Sequence, residues 1–310
     1  MKILPIMSSL PKYIFHDPGA VLAIAGDDAD TFLQGQFTND LRVAPGAAVY
    51  GLFLNQKGRV MADAHALRLG AQGWTLVSVD SPADTLARRL TDYVVADDVA
   101  ITDETAAKAG LAVFGEAVVE FLAPLVGALP GPGAFSRAGD LLVFRGRRTR
   151  GDNFEIIGPA AACQTLAGRL RAAGCSEATP AEAEYERIQS RMPAVPRDLG
   201  AGDLPNEGDI QDAAISYTKG CFLGQEVMAR LKNLGQVRRR LFVVAGTGIA
   251  PPPGAPLFQQ RRKAGEIRSI AAAQGRFVAM AMLSLVHLEE SAGLAAGPDW
   301  PEAITIFGRV

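Results

Sequence analysis

Lys219-Gly220-Cys221-Phe222-Leu223-Gly224-Gln225-Glu226 places a lone cysteine between two glycines. Glycine adopts backbone conformations closed to other residues and allows a partner to approach closely. A basic neighbour such as Lys219 favours the thiolate form of a thiol. Gln225-Glu226 is typical of a helix start, and the free N–H groups of a first turn attract anions. The stretch therefore indicates a loop that presents a reactive thiol.

Four further patches lie upstream in a fixed order. The first two are Phe32-Leu33-Gln34-Gly35-Gln36-Phe37-Thr38-Asn39-Asp40 and Leu54-Asn55-Gln56-Lys57-Gly58-Arg59-Val60. The second has a polar tetrad ending in glycine between apolar runs, which predicts a β-hairpin. Arg187-Ile188 and Pro205-Asn206-Glu207 follow, before the cysteine stretch.

Together these motifs resemble the YgfZ-type proteins of the GcvT superfamily, relatives of the glycine-cleavage aminomethyltransferases. K-G-C-[FY]-x-G-Q-E is the signature of that family, and the other patches match its elements in the same order. The resemblance implies binding of tetrahydrofolate or a one-carbon derivative. It also implies support of iron–sulfur enzymes, with client enzymes or assembly proteins as partners.

Apolar periodicity independently predicts an α+β protein followed by an all-β segment. Strands and helices mix up to about residue 240, and short apolar strands separated by turns follow, as in a small barrel. The resemblance specifies two ferredoxin-like α+β units and a C-terminal β-barrel. We expect a first folate-binding unit over residues 1–105, a second carrying the signature over 106–240, and the barrel over 241–310.

The resemblance also assigns roles to residues. Glu207 is expected to bind the pterin, whose adjacent N–H donors a carboxylate can accept. Asp63 corresponds to one of the paired acids of the aminomethyltransferases, and Ala62 replaces the other. Asp63 would then contact the folate or only cap a strand. The expected functional thiol is Cys221 with Lys219, although a free cysteine is also often a small buried hydrophobe. Further expected folate contacts are Asn39, Asn55, Lys57 and Arg187, and further motif positions are Gly220, Gly224, Gln225 and Glu226.

Composition limits the alternatives. The 310 residues carry a net charge near −2, so no broad basic surface indicates nucleic acid. Three cysteines and three scattered histidines are too few for a resident cluster or a structural zinc site, so no metal is expected. There is no transmembrane-length apolar run, and Pro5 interrupts the apolar N-terminus, which predicts no signal peptide. We expect a cytoplasmic protein without a membrane partner.

Two short basic runs, Arg238-Arg239-Arg240 and Arg261-Arg262-Lys263, leave a minor alternative. No aromatic residues interleave them, so tRNA binding is disfavoured, and they could hold the folate tail or an acidic partner. The main alternative to an accessory factor is a folate-dependent one-carbon transfer enzyme, either an aminomethyltransferase or a demethylase. A scaffold with a vestigial pocket is the third.

Overall fold

The computed structural model describes residues 10–71, 73–301 and 303–310, and the side chain of residue 234 is not described. Residues 1–9 lie outside this range, and so does the apolar N-terminal stretch for which the sequence predicts no signal peptide. Within it the chain forms three β-sheets, and no helix is long and apolar enough to span a membrane.

The first α+β unit contains five strands and two helices. After β1 (Lys12–His16), the chain forms β2 (Ala20–Ala25), α1 (Ala29–Gln36), β3 (Ala48–Leu54), β4 (Val60–Arg68), β5 (Gly73–Ser78), α2 (Ala83–Thr91) and β6 (Ala100–Asp103). The sheet order is β3-β4-β5-β2-β6. Strand β4 alternates between two faces: Ala62 is fully buried in the core of this unit, whereas Asp63 points the other way.

The second unit repeats the same β-α-β-β-β-α-β order. It consists of β7 (Ala109–Phe114), α3 (Val118–Val126), β8 (Phe135–Ala138), β9 (Leu141–Arg145), β10 (Asn153–Gly158), α4 (Ala160–Ala172) and β11 (Ser176–Glu177). Its sheet order is β11-β1-β7-β10-β9-β8, so β1 is inserted between β7 and β11. The two sheets contact each other through a buried cluster that includes Leu67, Val77 and Phe144.

A helical connection leads to the C-terminal domain. It contains α5 (Pro180–Gln189), a 3-10 helix (Pro205–Glu207), α6 (Gln211–Ala214) and α7 (Gln225–Leu234). Helix α5 begins with a capping box in which Thr179 and Glu182 exchange hydrogen bonds. Helix α7 begins at Gln225, so the predicted helix start is confirmed.

The C-terminal domain is a five-stranded antiparallel sheet. Its strands are β12 (Arg239–Thr247), β13 (Pro256–Gln259), β14 (Arg262–Ala273), β15 (Arg276–Ser284) and β16 (Thr305–Arg309). The order is β13-β14-β15-β12-β16, and bridges from Phe258 to Ala295 and from Leu294 to Ile304 connect its two edges. The α+β fold with a barrel-like C-terminal domain is therefore confirmed.

One buried cluster joins the first unit, the helical connection and the C-terminal domain. It contains Leu54 of the β3–β4 hairpin, Ile188 of α5, Phe222 and Met228 of the signature region, and Met280 of the barrel. The predicted limit at 105 falls between β6 and β7, and that at 240 falls at the start of β12. Because β1 pairs with β7, residues 1–105 do not coincide with a single sheet.

Candidate functional site

The signature loop packs directly on the β3–β4 hairpin. Gly224 has φ +88°, and a Cβ there would lie 2.9 Å from the Asn55 carbonyl oxygen and 3.1 Å from the Gly58 Cα. A Cβ on Gly58 would in turn lie 2.9 Å from side-chain atoms of Val227 and Met228. The two glycine motifs are therefore two sides of one close contact.

Lys219 fastens the signature loop to α1. Its side chain is buried, and its Nζ donates to the carbonyl oxygens of Gln34 (2.6 Å), Phe37 (2.6 Å) and Asn39 (3.0 Å). Burial lowers the pKa of Lys219 to about 8, so the amine still carries three protons at neutral pH. All three N–H groups have carbonyl partners at a helix C-terminus. This arrangement differs from the expected pairing of Lys219 with the thiol.

The middle of the signature is open to solvent. Cys221 is exposed, while Cys163 and Cys175 are buried. A Cβ on Gly220 would meet no atom within 4 Å. Glu226, in the first turn of α7, is also exposed. The loop thus presents one accessible thiol on a backbone anchored at Lys219 and Gly224.

The two asparagines and Lys57 have local positions. Asn55 Oδ1 accepts from the backbone N–H groups of Lys57 (2.9 Å) and Arg59 (3.0 Å), which closes the hairpin turn. Lys57 itself is exposed at the tip. Asn39 Nδ2 donates to the carbonyl oxygen of Tyr50, in strand β3, at 2.9 Å. The two asparagine side chains therefore stabilise the backbone of the hairpin turn and of strand β3.

Glu207 lies in an ion-pair cluster that joins the hairpin, the 3-10 helix and the barrel. Its Oε1 accepts from Arg239 Nε at 2.8 Å, and its Oε2 accepts from the Leu204 backbone N–H at 2.8 Å. Asp203, also buried, accepts from Arg239 (2.8 Å) and Arg268 (3.1 Å). Both oxygens of Glu207 already have donors, so a pterin there would have to displace Arg239.

Asp63 faces a small cavity between the two α+β units. Its Oδ1 accepts from the hydroxyls of Ser78 (2.9 Å) and Ser81 (2.8 Å), and its Oδ2 accepts from Tyr50 Oη at 3.1 Å. Burial raises the pKa of the Asp63 carboxyl, although the serine hydroxyls oppose the shift. The family resemblance therefore indicated a carboxyl group that accepts hydrogen bonds from three hydroxyl groups.

Three residues that sequence reasoning missed form a stack in this cavity. The Arg147 guanidinium lies 3.9 Å from the Tyr50 ring centroid, and the His65 ring is 5.2 Å from Tyr50 and 4.8 Å from Phe144. Burial, followed by the charge of Arg147, lowers the pKa of His65 to about 3. The imidazole is therefore neutral at physiological pH. The signal in the sequence was the predicted hairpin itself, which places the aromatic Tyr50 opposite His65.

Arg187 lines the same cavity, but carboxylates already hold it. Its guanidinium donates to Asp198 (2.7 Å), to Glu184 (2.7 and 2.9 Å) and to Ser269 Oγ (2.8 Å). Ser269 belongs to β14. Arg187 thereby connects α5 to the barrel behind the cavity.

The cavity and the thiol loop lie at two places on one hairpin. Asp63 is five residues from Gly58 along β4 and the turn, which corresponds to roughly 17 Å of strand. Gly58 contacts Gly224 beside the thiol loop. The structure therefore brings Asp63, Tyr50 and Arg187 together, and it groups Asn55, Lys57 and the signature separately.

The cavity beside Asp63 has a volume of about 40 Å³, room for little more than water. A groove of about 690 Å³ lies elsewhere, beside Phe114, Val118 and Glu186. It contains none of the residues that the motifs identify, so its size alone does not make it the candidate site. Among the described residues, no three His, Cys, Asp or Glu side chains are grouped to hold a metal ion.

Comparison with known proteins defines the class. Residues 20–213 match the GCVT N-terminal domain family, and residues 238–305 match the CAF17 C-terminal beta-barrel domain. The chain therefore belongs to the GCVT N-terminal domain family, with a CAF17-type barrel.

Individual relatives have names that are more specific than the family description. The tRNA-modifying protein YgfZ of Cronobacter sakazakii is 26% identical over 277 residues, covering 86% of this chain and 82% of the relative. The mitochondrial iron-sulfur cluster assembly factor IBA57 of Mus musculus is 26% identical over 321 residues, covering 92% and 84%. The glycine cleavage system aminomethyltransferase T from Bartonella henselae shares the fold, with TM-score 0.77 at 19% identity over 92% of this chain and 81% of that one.

Proposed function

We propose that this protein binds tetrahydrofolate, or a one-carbon derivative, in the cavity beside Asp63 and supports iron–sulfur enzymes through the thiol of Cys221. The observation that carries the folate proposal is the Asp63 carboxyl, held by three hydroxyls beside the Tyr50 ring. A carboxyl group and an aromatic face suit a flat heterocycle with N–H donors.

The residues fit the chemistry of a pterin, but the cavity has to enlarge. Pockets for drug-sized ligands usually measure about 300–1,000 Å³, well above the 40 Å³ observed. The Arg147 side chain, lying on Tyr50, occupies the face on which a ring would stack. Asp63 and Tyr50 are therefore the residues proposed to hold the ligand. Both carboxylates already accept hydrogen bonds, but Asp63 accepts from neutral hydroxyls that can turn to other partners, whereas a ligand at Glu207 would have to displace the Arg239 guanidinium, so Glu207 is the weaker candidate.

Transfer of a one-carbon unit by a pair of acids is less well supported. The second acid of the aminomethyltransferases corresponds to Ala62, whose side chain points into the core of the first unit. The cavity thus receives one carboxyl group from this stretch of β4. An accessory role in the cytoplasm, with three free thiols, is the function that we propose.

The relatives' names support the iron–sulfur part of the proposal. One is an iron-sulfur cluster assembly factor and others are tRNA-modifying proteins. Client iron–sulfur enzymes that modify tRNA would account for both names without direct RNA binding. In the basic run at the start of the barrel, Arg239 pairs with Glu207 and Arg240 with Asp209, so two of its three cations already have carboxylate partners.

Thermal denaturation with tetrahydrofolate tests the folate proposal. Ligand at 100 times its Kd should add about 2.7 kcal/mol to the free energy of unfolding. Asp63→Asn should weaken binding by about 1.5–3 kcal/mol, since it removes an acceptor for the pterin donors. Asp97→Asn, on an exposed loop, is the matched control. No stabilisation of the wild type would contradict the proposal.

A further inference from the structure

Arg147 projects from a loop whose backbone is firmly braced. The loop 146–152 joins β9 to β10, and the buried Asn153 organises it. Asn153 Oδ1 accepts from the Arg148 N–H at 3.1 Å, and Nδ2 donates to the carbonyls of Thr149 (2.9 Å) and Gly151 (2.8 Å). The Arg147 side chain can therefore leave Tyr50 by rotating about its own bonds, with the loop backbone in place.

The other charged groups around the cavity have partners. Arg148 pairs with Glu155 at 2.7 Å, and Glu155 also contacts His16 at 2.9 Å. Arg187 pairs with Asp198, and Asp80 lies 3.2 Å from Arg197. Within the described residues, no carboxylate lies within ion-pair distance of Arg147. Its half-buried guanidinium lies over the Tyr50 ring and interacts with the Tyr50 hydroxyl, not with a carboxylate.

A guanidinium in this state is suited to an incoming carboxylate. It has a rigid fork of N–H donors that matches a carboxylate in a bidentate manner. Its surroundings exclude part of the solvent, which strengthens such a pair. A ring that stacks on Tyr50 would displace the guanidinium from that face and free its N–H donors for another partner.

Resting on the proposed function, we propose that Arg147 is the specificity-determining residue of the cavity: it yields the Tyr50 face to the ligand's ring and binds a carboxylate of the ligand's tail. The ligand class is then a heterocycle that carries an anionic tail. A tail-free heterocycle would displace Arg147 without gaining the ion pair and would bind more weakly.

Calorimetric titration with two probes tests this assignment. Tetrahydrofolate carries the glutamate carboxylates, and 6-methyltetrahydropterin lacks them. We expect the wild type to bind tetrahydrofolate on the order of tenfold more tightly than the tail-free pterin. Arg147→Ala should lower this ratio several-fold, because the carboxylates lose their partner, while binding the tail-free pterin at least as tightly as the wild type does. Arg150→Ala, from the exposed end of the same loop, should retain the wild-type ratio.

The outcomes separate the two proposals. If the wild type binds neither probe, the proposed function fails, and this inference fails with it. If the wild type binds tetrahydrofolate but Arg147→Ala keeps the wild-type ratio, folate binding stands and the role of Arg147 is refuted. Equal weakening of both probes by Arg147→Ala would also refute it, because a purely structural role predicts that pattern.

Discussion

Replacing Gly224 with alanine should destabilise the fold, whereas replacing Gly220 should not. At Gly224 the backbone lies in the left-handed region at φ +88°, which costs an ordinary residue about 1–3 kcal/mol. The new Cβ would lie 2.9 Å from the Asn55 oxygen and 3.1 Å from the Gly58 Cα. Both are backbone atoms, so relief requires the hairpin to shift, adding about 1–3 kcal/mol. We expect a total loss of about 3 kcal/mol.

Urea unfolding followed by tryptophan fluorescence measures this loss, since Trp74 is buried in the first unit. Gly220→Ala is the matched control: its Cβ would meet nothing within 4 Å, so the change should stay within about 0.5 kcal/mol. Equal stability of the two variants would refute the close packing of the signature on the hairpin. Loss of function in the stable Gly220→Ala protein would instead indicate that a partner approaches there.

Three further substitutions probe other parts of the account. Lys219→Met should cost about 2–4 kcal/mol in urea unfolding, because it leaves carbonyls at the end of α1 without donors; the exposed Lys57→Met should cost almost nothing. Glu207→Gln should lower the free energy of unfolding by about 2 kcal/mol by weakening the Arg239 pair, and the exposed Glu226→Gln should not. His65 has a folded pKa of about 3, below its unfolded value, so the unfolded chain binds the extra proton and stability falls as pH drops below about 6.5. His65→Gln should remove about 1.4 kcal/mol per pH unit from that slope between pH 6 and 4, and an unchanged slope would contradict the assignment.

Local patterns predicted the elements well because their causes are local. The tetrad at 55–58 gives the hairpin, and Gln225-Glu226 begins α7. The position of β1 could not be predicted in this way, because its partner β7 lies about a hundred residues further along the chain. Its place depends on which sheet edge is open in three dimensions.

The site was predictable only where one motif contained it. Asp63 and Cys221 could be named as candidates because each lies in or beside a recognisable stretch. The roles of Lys219 and Glu207 depend on groups far away in sequence: the Lys219 partners lie 180–185 residues upstream, and Arg239 lies 32 residues after Glu207. Arg147 has no motif at all, and only the meeting of the two units places it on Tyr50.

The central claim, that the exposed Cys221 thiol supports iron–sulfur enzymes, is tested most directly by complementation. Activity of iron–sulfur enzymes is measured in a strain lacking this protein that carries either the wild type or Cys221→Ala. Because Cys221 is exposed, the variant should match the wild type in expression, melting temperature and tetrahydrofolate affinity. We predict that it fails to restore the enzyme activities. Full restoration by normally expressed Cys221→Ala protein would contradict the claim.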